Sequence, residues 1–230
     1  MNPRKSDLHI HSHFSDGVET IGAIVERAMQ LRLEIIGIVD HFWPCIGSNQ
    51  GGIGLIRERS AAIEAARADF PKIRVLDGAE IDIMPDGTFS QVAEGHEQFD
   101  LVIGSVHWGS DSSRWAPAVI GASKRGVMQI LGHFDGYLST YRQADGEIVA
   151  AALAENDIAV ELNSRYPPDN IGFFETAKDQ GCRFTLGSDA HWLNGVGRNE
   201  EQAKLADALN LPLWVPLPET CTIVDSNVLD

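Results

Sequence analysis

The strongest constraint on the fold is a regular alternation of short apolar runs with helix-like segments. Alternating β and α units favour a parallel sheet with right-handed crossovers. An incomplete TIM-like barrel and a doubly wound open sheet both fit this rhythm. Seven β-branched runs are predicted to be strands: DLHIHS (7–12), EIIGIVDH (34–41), IRVLDGAEIDI (73–83), DLVIGSVHW (100–108), VMQILGHFD (127–135), IAVELNS (158–164) and RFTLGSDAH (183–191).

Helical patterns fill the segments between these runs. Apolar residues at Val18, Ile21, Val25 and Ala28 follow the spacing of an amphipathic helix. We predict helices in 18–31, 55–70, 145–157, 172–181 and 199–211, and a loop followed by a helix in 112–126. Seven units in 230 residues average about 33 residues each, which suits one catalytic domain spanning 1–230.

A polar residue suited to bind metal lies at or near the C-terminal end of every predicted strand. A barrel gathers these strand ends at one mouth, whereas an open sheet spreads them along an edge. One cluster therefore requires a closed barrel, and we expect that architecture. The strand-end residues are His9 and His11, His41, Glu80, His107, His133, Glu161, and Asp189 with His191.

Six of the eight histidines share this position, which favours a metal site. A single such histidine would more often be a core or capping residue. His13 and His96 fall outside the pattern and are predicted to lie at the surface. One zinc ion takes three or four protein ligands, so nine ligands, some of them bridging, match three metal ions with open positions. The nine are His9, His11, Asp16, His41, Glu80, His107, His133, Asp189 and His191.

Composition narrows the class of partner. The formal net charge of −15 argues against binding duplex nucleic acid or anionic membranes. Cys45, Cys182 and Cys221 are odd in number and far apart, which argues against a disulfide framework. No secretory signal or membrane-length apolar run is evident, so we expect a cytoplasmic protein; the oligomeric state stays open.

The motifs DLHIHSHFSDG, VDH, GAEID, GSVHW, GHFD, ELNS and GSDAH resemble, in order, those of the PHP (polymerase and histidinol phosphatase) family. The resemblance implies a distorted (β/α)7 barrel that hydrolyses phosphoesters at a trinuclear site. It implies one metal at His9, His11, Glu80 and Asp189, and a second at Glu80, His107 and His133, with Glu80 bridging. It implies a third metal at Asp16, His41 and His191.

The expected activity is hydrolysis of a phosphate monoester of a small metabolite, either histidinol phosphate or a nucleoside monophosphate. Two to three Zn, Mn or Fe ions would activate water as a bridging hydroxide and neutralise phosphoryl charge. The alternatives are a phosphodiesterase or exonuclease on single-stranded nucleic acid, and a metal-loaded binding domain without turnover. We expect catalytic roles for Glu80, Asp189 and His191.

Substrate residues are expected in ELNSRYPPDN, after the sixth strand. Arg165 could bind phosphate, or could pair with Asp169 at the surface, and Asn163 could support a ligand or the substrate. The segments 41–54 and 107–117 could lie over the mouth or be disordered loops. Asp7, Asp82 and Asp135 are candidates for orienting imidazoles.

Overall fold

The structure, a computed structural model, describes residues 1–42 and 52–216. The strands are β1 (Ser6–Ile10), β2 (Ile35–Asp40), β3 (Arg74–Asp82), β4 (Leu101–Ser105), β5 (Ser110–Asp111), β6 (Ile130–Leu131), β7 (Leu138–Thr140), β8 (Ala159–Asn163) and β9 (Phe184–Gly187). The helices are α1 (Ile21–Gln30), α2 (Ile53–Asp69), α3 (Ser112–Ser123), α4 (Gln143–Glu155), α5 (Gly172–Asp179) and α6 (Glu200–Ala208), with a 3-10 turn at Pro3–Lys5.

Seven strands form one parallel sheet in the order β1-β2-β3-β4-β6-β8-β9, and this sheet nearly closes into a barrel. The first strand meets the segment that follows the last. The amide of Asp189 donates to the carbonyl of His9 at 2.8 Å, and the amide of His11 donates to the carbonyl of Ala190 at 3.0 Å. The expected barrel is confirmed, and the open doubly wound sheet is excluded.

The alternation of side chains along the strands divides the barrel interior into two layers. Leu76 of β3, Leu101 of β4 and Ala159 of β8 belong to a buried apolar cluster to which no helix contributes. Residues two or four positions further along share the same strand face. Glu80 and Glu161 therefore lie directly above this apolar floor. Hydrophobic residues fill one end of the barrel, and ionisable residues occupy the other.

The connections differ from a regular repeat in two places. The residues between β3 and β4, 83–100, form turns without a helix, and β5 pairs with β7 in a separate two-stranded parallel sheet. Segment 107–117 contains β5 and the start of α3, so it is not a disordered loop. Asp111 caps α3 by accepting from the amide of Ser113 at 2.9 Å, which lets a helix begin despite Pro117 inside it. Among the described residues, no helix is long and apolar enough to cross a bilayer.

Arg59 of α2 is the most unusual core residue, because its guanidinium is fully buried. It donates to Asp40 at 2.6 Å, to the carbonyl of Gly78 at 2.8 Å, and to Asp77 and the carbonyl of Ile38. Burial opposes ionisation of Asp40, but the charge of Arg59 holds the pKa of that carboxyl below its usual value. The pair ties α2 to two barrel strands.

Replacing Arg59 is expected to destabilise the barrel strongly. Arg59→Met would leave Asp40 buried and without its cation, and breaking a buried ion pair in this way costs about 3–5 kcal/mol. Urea unfolding should show the loss. Arg57→Met is the matched control, because Arg57 lies on the same helix and its exposed ion pair with Glu94 is worth about 0–1 kcal/mol. Equal stability of the two variants would contradict a structural role for Arg59.

Candidate metal centre

The nine predicted ligands converge at the C-terminal mouth of the barrel. Their donor atoms form overlapping groups that lie within 4.8 Å of one another: His9–His11–Glu80, His11–Asp16–His41, His11–Asp189–His191 and Glu80–His107–His133. Most of the nine line a small cavity of about 110 Å³. His13 is exposed and His96 bonds the carbonyl of Ser90, so both lie apart from the cluster.

Glu80 is the central residue of the cluster. One carboxylate oxygen lies 2.9 Å from Nε2 of His133 and 3.4 Å from Nε2 of His107. The other lies 3.2 Å from Nε2 of His9 and 3.4 Å from Nε2 of both His11 and His41. The two oxygens thus face different sets of imidazoles, which is the arrangement that a bridging carboxylate needs.

The chemistry of the donor atoms fits a cation between His9, His11 and Glu80. Nδ1 of His9 lies 2.8 Å from a carboxylate oxygen of Glu161, so that nitrogen carries the proton. Nε2 of His9 then presents a lone pair to Nε2 of His11 at 3.0 Å and to Glu80 at 3.2 Å. Three electron-rich atoms facing one another at these distances require a proton or a metal ion.

The same arrangement recurs at His107. Its Nδ1 lies 2.5 Å from Asp82, and its Nε2 is directed towards Glu80. Burial lowers the pKa of His107, but the charges of Glu80 and Asp82 raise it to about 10. The carboxylates therefore attract positive charge to this side of the cluster, which a divalent ion would supply.

The remaining group surrounds Asp16, in the loop after β1. One Asp16 oxygen lies 2.9 Å from Nε2 of His191, and the other lies 3.4 Å from Nδ1 of His11. Burial lowers the pKa of His41 to about 4, so this imidazole is neutral at physiological pH and suited to be a ligand. His11 lies between His41 and His191, with ring centroids 4.8 and 4.4 Å away, and thus adjoins this group as well as the first.

Residues behind the ligands fix their orientation. Glu161 accepts from Nδ1 of His9 and from the amide of His133, and Asp82 accepts from His107 as expected. The expectation for the other two aspartates was wrong. Asp7 accepts from the amides of Ser188 and Gly197, and Asp135 accepts from the amides of residues 169 and 170. Both fix loops, because their neighbours in space are backbone amides instead of imidazoles.

Gly187 is a necessary residue of the site that the sequence reading missed. A Cβ at this position would lie 1.9 Å from a carboxylate oxygen of Glu161 and 2.8 Å from Cβ of His9. Only glycine leaves room for the bond between Glu161 and His9. The GSD motif contained this signal, because a glycine at the end of a barrel strand often marks a close approach. Asp189, two residues later, has a positive φ of 54°, a strained conformation that is more common at functional sites.

Arg165 reaches the cluster from the loop after β8. Its guanidinium lies 2.8 Å from Nε2 of His191 and 3.7 Å from an oxygen of Asp189, so it faces the mouth instead of pairing with Asp169. Asn163 is buried beneath it. The Asn163 amide nitrogen donates to Glu161 and Asp189, and its oxygen accepts from the amides of Arg165 and Tyr166. Asn163 therefore holds the turn that presents Arg165.

Two tyrosines complete the cavity wall and were not anticipated from the sequence. The hydroxyls of Tyr137 and Tyr166 lie 3.3 Å apart, and both residues line the cavity beside His133. Burial raises the pKa of Tyr137, which keeps its phenol protonated. The pair has two donor hydrogens and one mutual bond, so one hydrogen is available for a ligand.

The prediction that segment 41–54 could lie over the mouth concerns residues 43–51 above all, and these lie outside the described residues.

Comparison with known proteins agrees with this geometry. The PHP domain model matches residues 7–165, which include seven of the nine ligands but not Asp189 or His191. The chain is 28% identical over 199 residues to DNA polymerase/3'-5' exonuclease PolX of Bacillus subtilis. The aligned region is 81% of this chain but only about a third of PolX (34%). It is 27% identical over 226 residues to probable phosphatase TTE1963 of Caldanaerobacter subterraneus subsp. tengcongensis, covering 89% of the chain and 84% of that protein.

Solved structures share the fold. Histidinol phosphate phosphatase from Lactococcus lactis, complexed with zinc, L-histidinol and phosphate, superposes with a TM-score of 0.70 at 20% identity, covering 91% of this chain and 95% of that one. The putative histidinol phosphatase from Listeria monocytogenes superposes with a TM-score of 0.69 at 14% identity. The superposition covers 86% of this chain and 99% of that one. With a family match across more than half of its length and the expected ligands gathered at the barrel mouth, the chain belongs to the PHP domain family.

Proposed function

We propose that the protein is a metal-dependent phosphomonoesterase that acts on a small phosphorylated metabolite. The observation that carries the proposal is the position of Glu80. Each of its oxygens faces a separate set of imidazoles, so one buried carboxylate can join two adjacent metal ions. Two metals held close together form a site suited to phosphoryl transfer.

The residues divide into three ligand sets. His9, His11, Glu80 and Asp189 would hold one ion, and Glu80, His107 and His133 a second. Asp16, His41 and His191 would hold a third, with His11 close by. Imidazole and carboxylate ligands suit zinc, manganese or iron. Bound there, the ions would supply an activated water and would neutralise charge on the phosphoryl group.

The chain's own residues would orient the ester. Arg165 would turn from His191 towards the phosphoryl oxygens, because a guanidinium offers planar paired donors to phosphate. The Tyr137–Tyr166 pair, which lines the same cavity, would donate its remaining hydrogen bond to the ester. Glu80, Asp189 and His191 take the catalytic roles, since they hold the groups that surround the reacting phosphorus.

The shape around the site supports a small ester. The cavity at the ligands adjoins a groove of about 690 Å³, and Arg165, Asp189 and His191 line both. Exposed Trp192 and Arg198 form part of the groove wall. This volume is typical of a small-molecule site, so it can hold the leaving group of histidinol phosphate or a nucleoside monophosphate. The partial similarity to PolX makes single-stranded DNA the second substrate to test.

Hydrolysis of small monoesters is the direct test of the proposal. After reconstitution with Zn²⁺ or Mn²⁺, the protein should contain two to three ions per chain and should release phosphate from monoesters faster than nucleotides from single-stranded DNA. Glu80→Gln should lower turnover far more than it lowers thermal stability. Less than one ion per chain after reconstitution, or near-native activity of Glu80→Gln, would refute the proposed mechanism.

Asp82 should control metal affinity without being a ligand. In Asp82→Asn the neutral amide no longer increases the basicity of His107, so we expect affinity at the Glu80–His107–His133 group to fall about 10- to 100-fold. Competition with a chromophoric chelator measures this change. Asp86→Asn is the control, because Asp86 is exposed and bonds only within its own turn. Equal affinities in the two variants would show that Asp82 does not tune the site.

Arg165→Ala should keep its metal ions and lose catalytic efficiency. The metals can bind only part of a phosphoryl group, so the charged donor is needed for the remaining oxygens. We expect a loss of about 1.5–3 kcal/mol in kcat/KM, the range for a hydrogen bond to a charged group. Steady-state kinetics with metal content confirmed is the measurement. An unchanged kcat/KM would mean that the phosphate is bound elsewhere.

A further inference from the structure

We infer that the buried Asp40–Arg59 pair positions the third group of metal ligands, Asp16, His41 and His191, and thereby controls whether the third ion is retained. The inference rests on the metal centre of the proposed function. It concerns residues that are not ligands themselves and that act through the loop carrying Asp16.

Asp40 accepts four short hydrogen bonds, three from the loop after β1 and one from Arg59. One oxygen of Asp40 accepts from the amide of Ser12 at 2.6 Å and from the hydroxyl of Ser15 at 2.7 Å. The other oxygen accepts from the hydroxyl of Ser12 at 2.7 Å and from Arg59 at 2.6 Å. All acceptor directions of this fully buried carboxylate are therefore used, and three of its four partners belong to the loop.

The loop backbone has hydrogen bonds of its own on both sides of Asp16, from the amides of Ser15 and Gly17 to the carbonyl of Ser12, but the Asp16 side chain is less enclosed than the other carboxylates of the cluster. The Asp16 side chain is 25% exposed, whereas the side chains of Glu80 and Asp189 are 2% and 4% exposed. Surrounding packing therefore fixes Asp16 less than it fixes the other carboxylate ligands. Ser15 bonds Asp40 and also lies 3.3 Å from Asp16, so the contact to Asp40 reaches the ligand through one neighbouring residue.

Asp40 also precedes His41, a second ligand of the same group. Arg59 holds this end of β2 at two points, because it donates to the Asp40 carboxylate and to the carbonyl of Ile38. A single buried pair thus sets the position of two predicted ligands, Asp16 in the loop after β1 and His41 directly after β2. The ligands of the other two groups are supported elsewhere, by Glu161 behind His9 and by Asp82 behind His107.

The consequence is a selective effect on one ion. Disturbing Asp40 should weaken binding most at the third group, because the supports behind His9 and His107 stay intact, although His11 of the first group adjoins Ser12 of the disturbed loop. A general structural role would instead lower occupancy at all three groups together with the thermal stability of the fold.

Asp40→Asn and Ser15→Ala test the inference. In Asp40→Asn the amide nitrogen replaces one acceptor oxygen, so either the Ser12 amide or Arg59, which can only donate, loses its acceptor, and the negative charge that Arg59 pairs with is removed. Zn²⁺ titration against a chromophoric chelator gives the affinities, and anomalous scattering at the zinc edge gives the occupancy of each group. We expect Kd at the third group to rise about 10- to 100-fold in Asp40→Asn. A smaller rise of about 3- to 10-fold is expected in Ser15→Ala, which removes one hydrogen bond.

The matched control is Asp82→Asn, which should lower affinity at the Glu80–His107–His133 group and leave affinity at the third group unchanged. Opposite occupancy patterns in Asp40→Asn and Asp82→Asn would support the inference. Full occupancy of the third group in Asp40→Asn, or equal loss from all groups, would overturn it. If Asp40→Asn does not fold, an unchanged third-group Kd in Ser15→Ala overturns it. Failure of the unmodified protein to bind Zn²⁺ would instead refute the proposed function itself.

Discussion

The pairing of β1 with the segment after β9 is the interaction on which the site depends. Two backbone hydrogen bonds, between Asp189 and His9 and between His11 and Ala190, close the barrel at its mouth. They bring the first two histidines of the chain against ligands that lie 180 residues later. Closure also directs the side chain of Glu80, on β3, into the barrel mouth. There one of its oxygens faces His9 and the other faces His107 and His133. Without this pairing the same residues would lie along the edge of a sheet and could not share one cluster.

The closed barrel places a strongly charged layer on an apolar floor, and burying so many carboxylates needs compensation. Asp16, Glu80, Asp82, Glu161 and Asp189 all lie in or next to the ligand layer. Three divalent ions would bring six positive charges against these five negative ones. Protonated histidines could also balance the carboxylates, but each proton brings one charge instead of two. A protonated ring nitrogen also cannot bind a metal ion. Metal binding at these groups would therefore be coupled to the stability of this end of the barrel.

The sequence contained most of this arrangement because both the fold and the site follow short-range rules. The βα rhythm allowed two architectures, and the polar residues at the strand ends favoured the closed one, while the resemblance to the PHP family implied the seven-stranded barrel and the grouping of the nine predicted ligands. The function of Asp7 and Asp135 was mistaken because an aspartate next to a motif, whether buried as Asp7 is or partly buried as Asp135 is, can bind a loop amide as well as an imidazole. The contact of Gly187 with Glu161, the Tyr137–Tyr166 pair and the partners of Arg59 depend on long-range packing. Spacing along the chain does not determine such contacts.

The three groups of predicted ligands differ in how firmly the residues behind them hold the ligand side chains. Glu161 holds His9 and the backbone of His133, whereas Asp82 holds His107, and both lie in barrel strands. The loop of Asp16 depends on Asp40, which in turn depends on Arg59 of a helix outside the barrel. Glu80 and His11 each belong to more than one of the candidate groups, so ions bound in neighbouring groups would influence one another through them. The group whose carboxylate lies on a loop, and is the most exposed, is thus the one whose occupancy the outer helix layer can alter.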